Sequence, residues 1–120
     1  EMRQYLDEAM IPRFEALGYS CKVYDNPIPG CGPVLLATRI EDASLPTILC
    51  YGHGDVVLGM EGRWQNGRDP WWLSFEGDRV YGRGVADNKG QHLVHIAAIE
   101  AVLKTRGKLG ITHNFQIEMG

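Results

Sequence analysis

The 120-residue sequence predicts a single α/β domain, and three features support this fold class. Two segments carry apolar residues at helical spacing, and several short runs alternate apolar and polar residues as strands do. The run Thr47 to Tyr51 is apolar on both sides of its alternation, which is typical of a strand covered on both faces of its sheet. A chain of this length holds one hydrophobic core and is too short for two domains.

The first part of the chain predicts one helix and three strands. The apolar residues of the helix recur at helical spacing: Leu6, Met10, Phe14 and Leu17. Gly18 is well placed to end this helix, and Pro12 is expected to bend or shorten it. Strands are then expected over residues 20–24, 34–40 and 47–51, separated by segments with turn-forming residues.

The second part of the chain predicts a long loop, a hairpin, a helix and a last strand. Residues 52–72 are rich in Gly, Trp and Arg, and a loop of this length in a compact domain is usually functional. Residues 72–75 and 79–81 flank a Glu-Gly-Asp turn, which favours a hairpin. A largely apolar helix is expected over residues 91–104, and an alternating strand over 113–118.

The composition excludes two classes of partner. Twelve Lys and Arg against fifteen Asp and Glu give a net charge of −3, so the basic surface of a nucleic-acid binder or of a protein attracted to anionic lipid is missing. With 44% hydrophobic and 22% charged residues the chain has a globular composition, and its apolar runs are too short for a membrane span. We therefore expect neither nucleic acid nor a membrane as a partner.

The cysteines and the two ends of the chain give further expectations. Cys21, Cys31 and Cys50 are odd in number and irregularly spaced, which favours a reduced, cytoplasmic chain over a disulfide-bonded one; a bridge between Cys21 and Cys31 is the alternative. The chain begins at Glu1 rather than at Met and stops at Gly120, directly after a strand-like run. We therefore expect both ends to be cut from a longer chain.

The first candidate site is the Gly-His-Gly-Asp segment that follows the third strand. If the backbone stays extended, His53 and Asp55 project to the same side, because side chains two positions apart share a face. A neutral imidazole is a good zinc ligand, and a nearby carboxylate can hold its other N–H and fix its tautomer. The alternative is a polar turn, with His53 exposed and Asp55 acting as a cap.

The second candidate site is the glycine-rich segment Tyr81 to Gly90, which leads directly into a helix. A dinucleotide-binding fingerprint requires a glycine where Asp87 stands, and a phosphate-binding loop requires Ser or Thr where Gly90 follows Lys89. Two interpretations remain open. Asp87 either contributes its two carboxylate oxygens to a metal site, or it (or Asn88) simply caps the helix.

The remaining candidates are expected to be structural. The other histidines are expected to be packed or surface side chains rather than ligands: His92, His95 and His113. The tryptophans are expected mainly to anchor the long loop: Trp64, Trp71 and Trp72. Glu118 lies in a strand, where it either serves a site or faces water. Neither Ser nor Cys occupies a nucleophile elbow, so covalent catalysis is not expected.

Taken together and in order, these segments resemble the dinuclear zinc exopeptidase family, which includes carnosinase and other dipeptidases, glutamate carboxypeptidase, aminoacylase, acetylornithine deacetylase and succinyl-diaminopimelate desuccinylase. The resemblance covers most of the chain. The motif Asp-Asn-Lys-Gly is most similar to the dipeptidase branch of the family. The residues that carry it are the helix 1–18, the strands to Tyr51, Gly52 to Val57, Trp64, Asp69 to Trp71, and Tyr81 to Gly90.

The resemblance implies a fold and a set of site residues. The fold would be a mixed sheet with helices on both faces, incomplete in this chain, with residues 1–120 forming the N-terminal part of a catalytic domain. His53 would ligate one zinc ion, Asp87 would bridge two, and Asp55 would orient His53. The peptide bond between Asp87 and Asn88 would be cis. Cobalt and manganese also suit such ligands.

The resemblance also implies an activity. A metal-bridging hydroxide would hydrolyse the amide bond of a dipeptide or small peptide, with a glutamate beyond Gly120 as general base. Because that base and the other ligands lie outside residues 1–120, we expect this chain alone to bind zinc weakly and to be inactive. An incomplete sheet also favours self-association into a homo-oligomer.

Two alternatives to a peptidase stay open. The first is an N-acyl-amino-acid deacylase, which uses the same chemistry on an N-acyl amino acid. The second belongs to another class: a non-catalytic module that binds an anion at the Gly82 to Gly90 turn and the helix N-terminus.

Overall fold

The structure, a computed structural model, describes residues 2–120 and opens with a helix in three consecutive segments. These are α1 (Met2–Gln4), a π-helical segment (Tyr5–Met10) and α2 (Ile11–Ala16). Pro12 lies in the first turn of α2, where a missing backbone N–H is tolerated. Gly18 then takes a left-handed φ of 79° and ends the helix as predicted.

The strands form one mixed four-stranded sheet and a separate hairpin. The sheet contains β1 (Ser20–Tyr24), β2 (Val34–Arg39), β3 (Thr47–His53) and β6 (Thr112–Glu118), in the spatial order β1-β2-β6-β3. β6 pairs antiparallel with β2 and parallel with β3. The hairpin pairs β4 (Ser74–Glu76) with β5 (Arg79–Tyr81), and Gly77 takes the positive φ of its turn. The predicted mixed α/β sheet is therefore confirmed, with every strand within about two residues of its expected position.

The third helix, α3 (Gln91–Arg106), connects the glycine-rich segment to β6. A π-helical segment (Val85–Gly90) precedes it and is kinked at Asp87, where φ is −118° and ψ is 97°. Gly107 ends α3 with a left-handed φ of 71°. Glu100 and Lys104 form the expected i,i+4 ion pair at 2.7 Å.

The N-terminal helix (α1, the π-helical segment and α2) and α3 pack on the same face of the sheet. The Phe115 ring of β6 lies 5.4 Å from the ring of Phe14 in α2 and 4.7 Å from the ring of His95 in α3. The buried core joins residues of the N-terminal helix, of α3 and of the inward face of β2 and β6: Leu6, Met10, Phe14, Leu35, Ala37, Ile96, Ile99, Phe115 and Ile117. The expectation of helices on both faces is thus met on one face only within residues 2–120.

The expectation that Thr47 to Tyr51 is covered on both faces is wrong for this chain. Leu49 and Tyr51 are 61% and 63% exposed, because their side chains lie on the face of the sheet opposite the helices. β3 is also an edge strand that pairs only with β6. Buried and half-buried residues alternate along β2 and β6 instead. The apolar run does identify a strand correctly, but apolar composition alone does not report which neighbours cover it.

The three cysteines are free thiols, so the alternative bridge between Cys21 and Cys31 is not formed.

None of the helices within residues 2–120 has the length and apolar character needed to cross a membrane.

Candidate metal centre

The sheet fixes the position of the first candidate site residue. β3 ends at His53, opposite Glu118 of β6, at the edge where both parallel strands finish. The hydrogen bonding between β3 and β6 extends one residue further: the backbone N–H of Gly54 donates a hydrogen bond to the carbonyl of Glu118 at 2.8 Å. Asp55 follows two positions after His53. This edge, at the carboxyl ends of parallel strands, is where α/β proteins commonly bind ligands.

Both nitrogens of the His53 imidazole face carboxylates. Nδ1 lies 3.0 Å from Oδ1 of Asp55, and Nε2 lies 3.2 Å from Oδ1 of Asp87, which is 34 positions away in the chain. The structure therefore brings together the three residues that the sequence singled out. The structure shows that the three side chains lie close together. That His53 and Asp87 bind a metal and that Asp55 orients His53 stay predictions.

The two carboxylates control the protonation of His53. Partial burial lowers the pKa of the imidazole, but the hydrogen bond and charge of Asp55, with the hydrogen bond to Asp87, outweigh it. The pKa of His53 is therefore raised above its ordinary value. A metal ion binds only an unprotonated ring nitrogen, so a cation at Nε2 would replace a proton held between His53 and Asp87.

A glycine-rich turn folds Asp87 back against β3. Gly84 has a left-handed φ of 80°, and the peptide bond between Asp87 and Asn88 is cis, as the resemblance predicted. The Asn88 side chain joins this turn to β3: its Oδ1 accepts a hydrogen bond from the backbone N–H of His53 at 3.1 Å. Its Nδ2 donates to Oε1 of Gln91. Asn88 therefore links the two candidate segments directly.

The alternative in which Asp87 or Asn88 caps a helix is wrong. Asp87 does lie at the kink before the helical residues, but neither the π-helical segment nor α3 has a side-chain capping hydrogen bond. The physical reason is that the Asn88 amide is bonded to β3 and to Gln91, while the Asp87 carboxylate faces His53.

The separation of the two candidate ligand atoms fits a zinc ion. Zinc takes histidine nitrogen and carboxylate oxygen at about 2.0–2.2 Å in a tetrahedral arrangement, which places two ligand atoms about 3.4 Å apart. The observed distance between His53 Nε2 and Asp87 Oδ1 is 3.2 Å. The Asp87 side chain is 83% exposed, so it is open to further partners. Two residues do not complete a zinc coordination shell, which normally has four ligands.

The structure adds residues that the sequence did not single out as site partners. Behind the centre, the Tyr5 hydroxyl lies 2.8 Å from Nδ1 of His92, and His92 is 1% exposed. Burial, with smaller contributions from nearby positive groups, lowers the pKa of His92 to about 4, so this ring is neutral at physiological pH. Sequence patterns could not pair two residues that lie 87 positions apart.

Glu118 and the tryptophans have defined partners in the structure. The Glu118 carboxylate accepts hydrogen bonds from the Tyr51 hydroxyl at 2.8 Å and from the Gly120 N–H at 3.0 Å. Trp64 donates from Nε1 to the carbonyl of Gly59, and Trp71 donates from Nε1 to Glu61, so these two anchor the long loop as expected. Trp72 does not fit that expectation, because it is 76% exposed.

Fold and site together define an α/β protein with a candidate metal centre at the carboxyl ends of its parallel strands. The sequence profile of Peptidase family M20/M25/M40 matches residues 49–118, a span that includes His53, Asp55 and Asp87. The chain belongs to this family, and the resemblance drawn from its motifs is confirmed.

Individual relatives agree with the family match. The chain is 43% identical over 96 residues to the cysteinylglycine-S-conjugate dipeptidase of Corynebacterium striatum, covering 79% of this chain and 20% of that protein. It is 33% identical over 106 residues to the succinyl-diaminopimelate desuccinylase of Legionella pneumophila (strain Lens), covering 84% and 26%. The crystal structure of human carnosine dipeptidase 1 matches 97% of this chain with a TM-score of 0.76 and 32% identity, over 26% of its own length. The chain thus spans a fifth to about a quarter of these proteins.

Proposed function

We propose that this chain is part of the catalytic domain of a zinc-dependent peptidase that hydrolyses the amide bond of dipeptides or small peptides. The observation that carries the proposal is the 3.2 Å approach of His53 Nε2 to Asp87 Oδ1, with Asp55 on the opposite side of the imidazole. Family membership supports it, because the matched span contains all three residues.

Each of the three residues has a distinct proposed role. Asp55 accepts the Nδ1–H of His53, which leaves the lone pair on Nε2 directed at the cation site. Asp87 offers one carboxylate oxygen beside His53 and a second oxygen that is free to meet a neighbouring cation. When bound, a zinc pair polarises an amide carbonyl and lowers the pKa of water at the site. Cobalt and manganese fit the same nitrogen and oxygen donors.

A dipeptide is the substrate class that we propose. The chain is 43% identical to a protein named as a dipeptidase and 33% identical to one named as a desuccinylase. Human carnosine dipeptidase 1, which matches 97% of this chain, also carries a dipeptidase name. An N-acyl-amino-acid deacylase is the second candidate, since the desuccinylase relative covers 84% of this chain.

The geometry disfavours a non-catalytic anion-binding module. Two backbone N–H groups of the glycine-rich turn are already used internally: Val85 donates to the carbonyl of Gly82, and Lys89 donates to the carbonyl of Gly84. The exposed carboxylate of Asp87 stands at the same turn and would repel an anion. A cation is the better occupant of this position.

Two candidate ligands do not complete a dinuclear zinc site, because each zinc ion normally takes four ligands. We therefore propose that residues 1–120 alone bind zinc weakly and hydrolyse nothing. We also propose a cytoplasmic location, supported by the odd number and irregular spacing of the cysteines. The exposed edge strand β3 supports self-association.

The experiment compares His53→Ala and Asp87→Ala with the unmodified full-length protein. Zinc content is measured by mass spectrometry, and turnover is measured on carnosine, a cysteinylglycine conjugate and an N-succinyl substrate. Both variants should lose bound zinc, and kcat/KM should fall by about three orders of magnitude or more. Asp78→Ala, which alters an exposed acid in the hairpin turn, serves as the matched control and should change neither.

The outcomes separate the candidate functions. Turnover of the peptides alone supports a dipeptidase, and turnover of the N-succinyl substrate alone supports a deacylase. Full zinc occupancy and full turnover in both alanine variants would contradict the proposed site.

A further inference from the structure

A second group of ligand atoms lies under α3, away from His53. Cys50 of β3, His95 of α3 and His113 of β6 bring one sulfur and two ring nitrogens within 4.8 Å of one another. The two imidazoles face each other with their Nε2 atoms 3.1 Å apart, and Nε2 of His113 lies 3.4 Å from Sγ of Cys50. β3, α3 and β6 therefore each contribute one of three ligand atoms that lie close together.

This group is separate from the His53 centre. Cys50 and His53 differ by three positions on β3, so their side chains leave opposite faces of the strand. Cys50 pairs in register with Phe115, whose ring contacts His95, which places the sulfur on the face that α3 covers. The His53 imidazole instead faces Asp55 and Asp87.

We propose that Cys50, His95 and His113 form a second metal site, which takes a thiolate-binding divalent cation such as zinc. Zinc at about 2.0–2.1 Å from nitrogen and about 2.3 Å from sulfur would place nitrogen pairs about 3.3 Å apart and a nitrogen–sulfur pair about 3.6 Å apart. The observed separations, 3.1 Å and 3.4 Å, are within a few tenths of an ångström of both values.

One of the ligands is already oriented by a buried partner. The Tyr19 hydroxyl lies 2.9 Å from Nδ1 of His113, and both residues are buried. If Tyr19 accepts the Nδ1–H, then Nε2 of His113 carries the lone pair and faces Cys50 and His95. This is the arrangement that metal-bound histidines show, with the second nitrogen held by another group of the protein.

The apolar surroundings suit a cation held by one sulfur and two imidazole nitrogens. The three groups share a pocket of about 280 Å³ whose other walls are apolar: Ile48, Ala98, Ile99, Val102, Leu109 and Ile111. Burial lowers the pKa of both His95 and His113, so each presents an unprotonated nitrogen. Burial raises the pKa of the Cys50 thiol, and its proton would pass to solvent as the cation binds. The ion would tie α3 to β3 and β6, and the pocket leaves room for a fourth ligand.

Cobalt absorption on the full chain tests this site separately from the first one. A Co²⁺ ion bound by a thiolate gives a sulfur-to-metal charge-transfer band, whereas His53, Asp55 and Asp87 contain no sulfur. We expect this band at saturating Co²⁺ in the unmodified protein and in Asp87→Asn. Cys50→Ser should abolish it, whereas the matched controls Cys21→Ser and Cys31→Ser should retain it. Absence of the band from the unmodified protein, or its survival in Cys50→Ser, would overturn the proposal.

Two further measurements do not depend on the folding of Cys50→Ser. In the unmodified protein, zinc should protect Cys50 from alkylation while the exposed Cys31 still reacts. Tyr19→Phe keeps the ring and removes the hydroxyl, so it should weaken Co²⁺ binding by about 10- to 100-fold without abolishing the band. Equal alkylation of Cys50 with and without zinc would contradict the site.

Discussion

At the scale of single residues, the candidate metal centre depends on how one imidazole is held. His53 is bonded on both ring nitrogens, at 3.0 Å to Asp55 and at 3.2 Å to Asp87. The bond to Asp55 fixes which nitrogen is free for a cation, and the bond to Asp87 marks where the cation would lie. Asp55 acts in this account through His53 and not on the substrate.

Replacing Asp55 by Asn tests this orienting role. The amide keeps the size of the side chain but removes the charge, so His53 becomes a weaker and less well-oriented ligand. Zinc affinity of the full-length protein should fall by about 10- to 100-fold, measured by titration calorimetry. Asp78→Asn is the charge-matched control. Unchanged zinc affinity in Asp55→Asn would show that Asp55 does not serve His53.

The ionisable residues of the site can be predicted from the sequence, but the groups that hold them in place cannot. His53, Asp55 and Asp87 are recognisable because their residue types and their positions after predicted strands carry chemical meaning. The link through Asn88 and the pairing of Tyr5 with His92 depend on tertiary contacts between distant parts of the chain. Only the folded backbone defines such contacts.

At the scale of elements, the meeting of β3 with the glycine-rich turn requires a glycine at position 52. A β-carbon placed on Gly52 would lie 2.5 Å from Nε2 of His92 and 2.9 Å from Oδ1 of Asn88. Because Gly52 has no β-carbon, α3 and the turn approach β3 closely enough for the Asn88 side chain to accept a hydrogen bond from the His53 N–H.

The variant Gly52→Ala should destabilise the protein by about 1–3 kcal/mol, because the added methyl group overpacks this contact. Urea unfolding measures the change. The double variant Gly52→Ala with His92→Ala should recover part of the loss, since shortening the histidine makes room for the methyl group. Additive losses in the double variant would show that the two positions are not in contact.

Local sequence patterns predict well where each helix and strand begins and ends. They do not predict which faces of an element its neighbours bury. Periodicity and turn residues place all six strands, because both act over a few neighbouring positions. The apolar run 47–51 predicts a covered strand, yet β3 is an exposed edge strand, since coverage is decided by which elements pack nearby.

At the scale of the whole molecule, two histidines of α3 and one of β6 make stability depend on pH. Burial is the largest cause that lowers the pKa of His92, His95 and His113, and for His92 the pKa falls to about 4. Each folded-state pKa lies below the unfolded value of about 6.5. The unfolded chain therefore binds more protons than the folded chain between these pH values.

Stability should decrease as the pH falls from about 6.5 to 4, with His92 contributing about 1–3 kcal/mol of the loss. His53 does not contribute in this window, because its raised pKa affects stability only above the unfolded value. Urea unfolding at a series of pH values measures the slope. His92→Gln, which stays neutral, should flatten it, and an unchanged slope in that variant would contradict the assignment.

We expect one cation between the end of β3 and the glycine-rich turn. Diffraction data collected at the zinc absorption edge, from crystals of the full-length protein with zinc, test it most directly. An anomalous peak is expected about 2.0–2.2 Å from both His53 Nε2 and an Asp87 carboxylate oxygen. A zinc-loaded, active protein with no anomalous peak at these two atoms would contradict it.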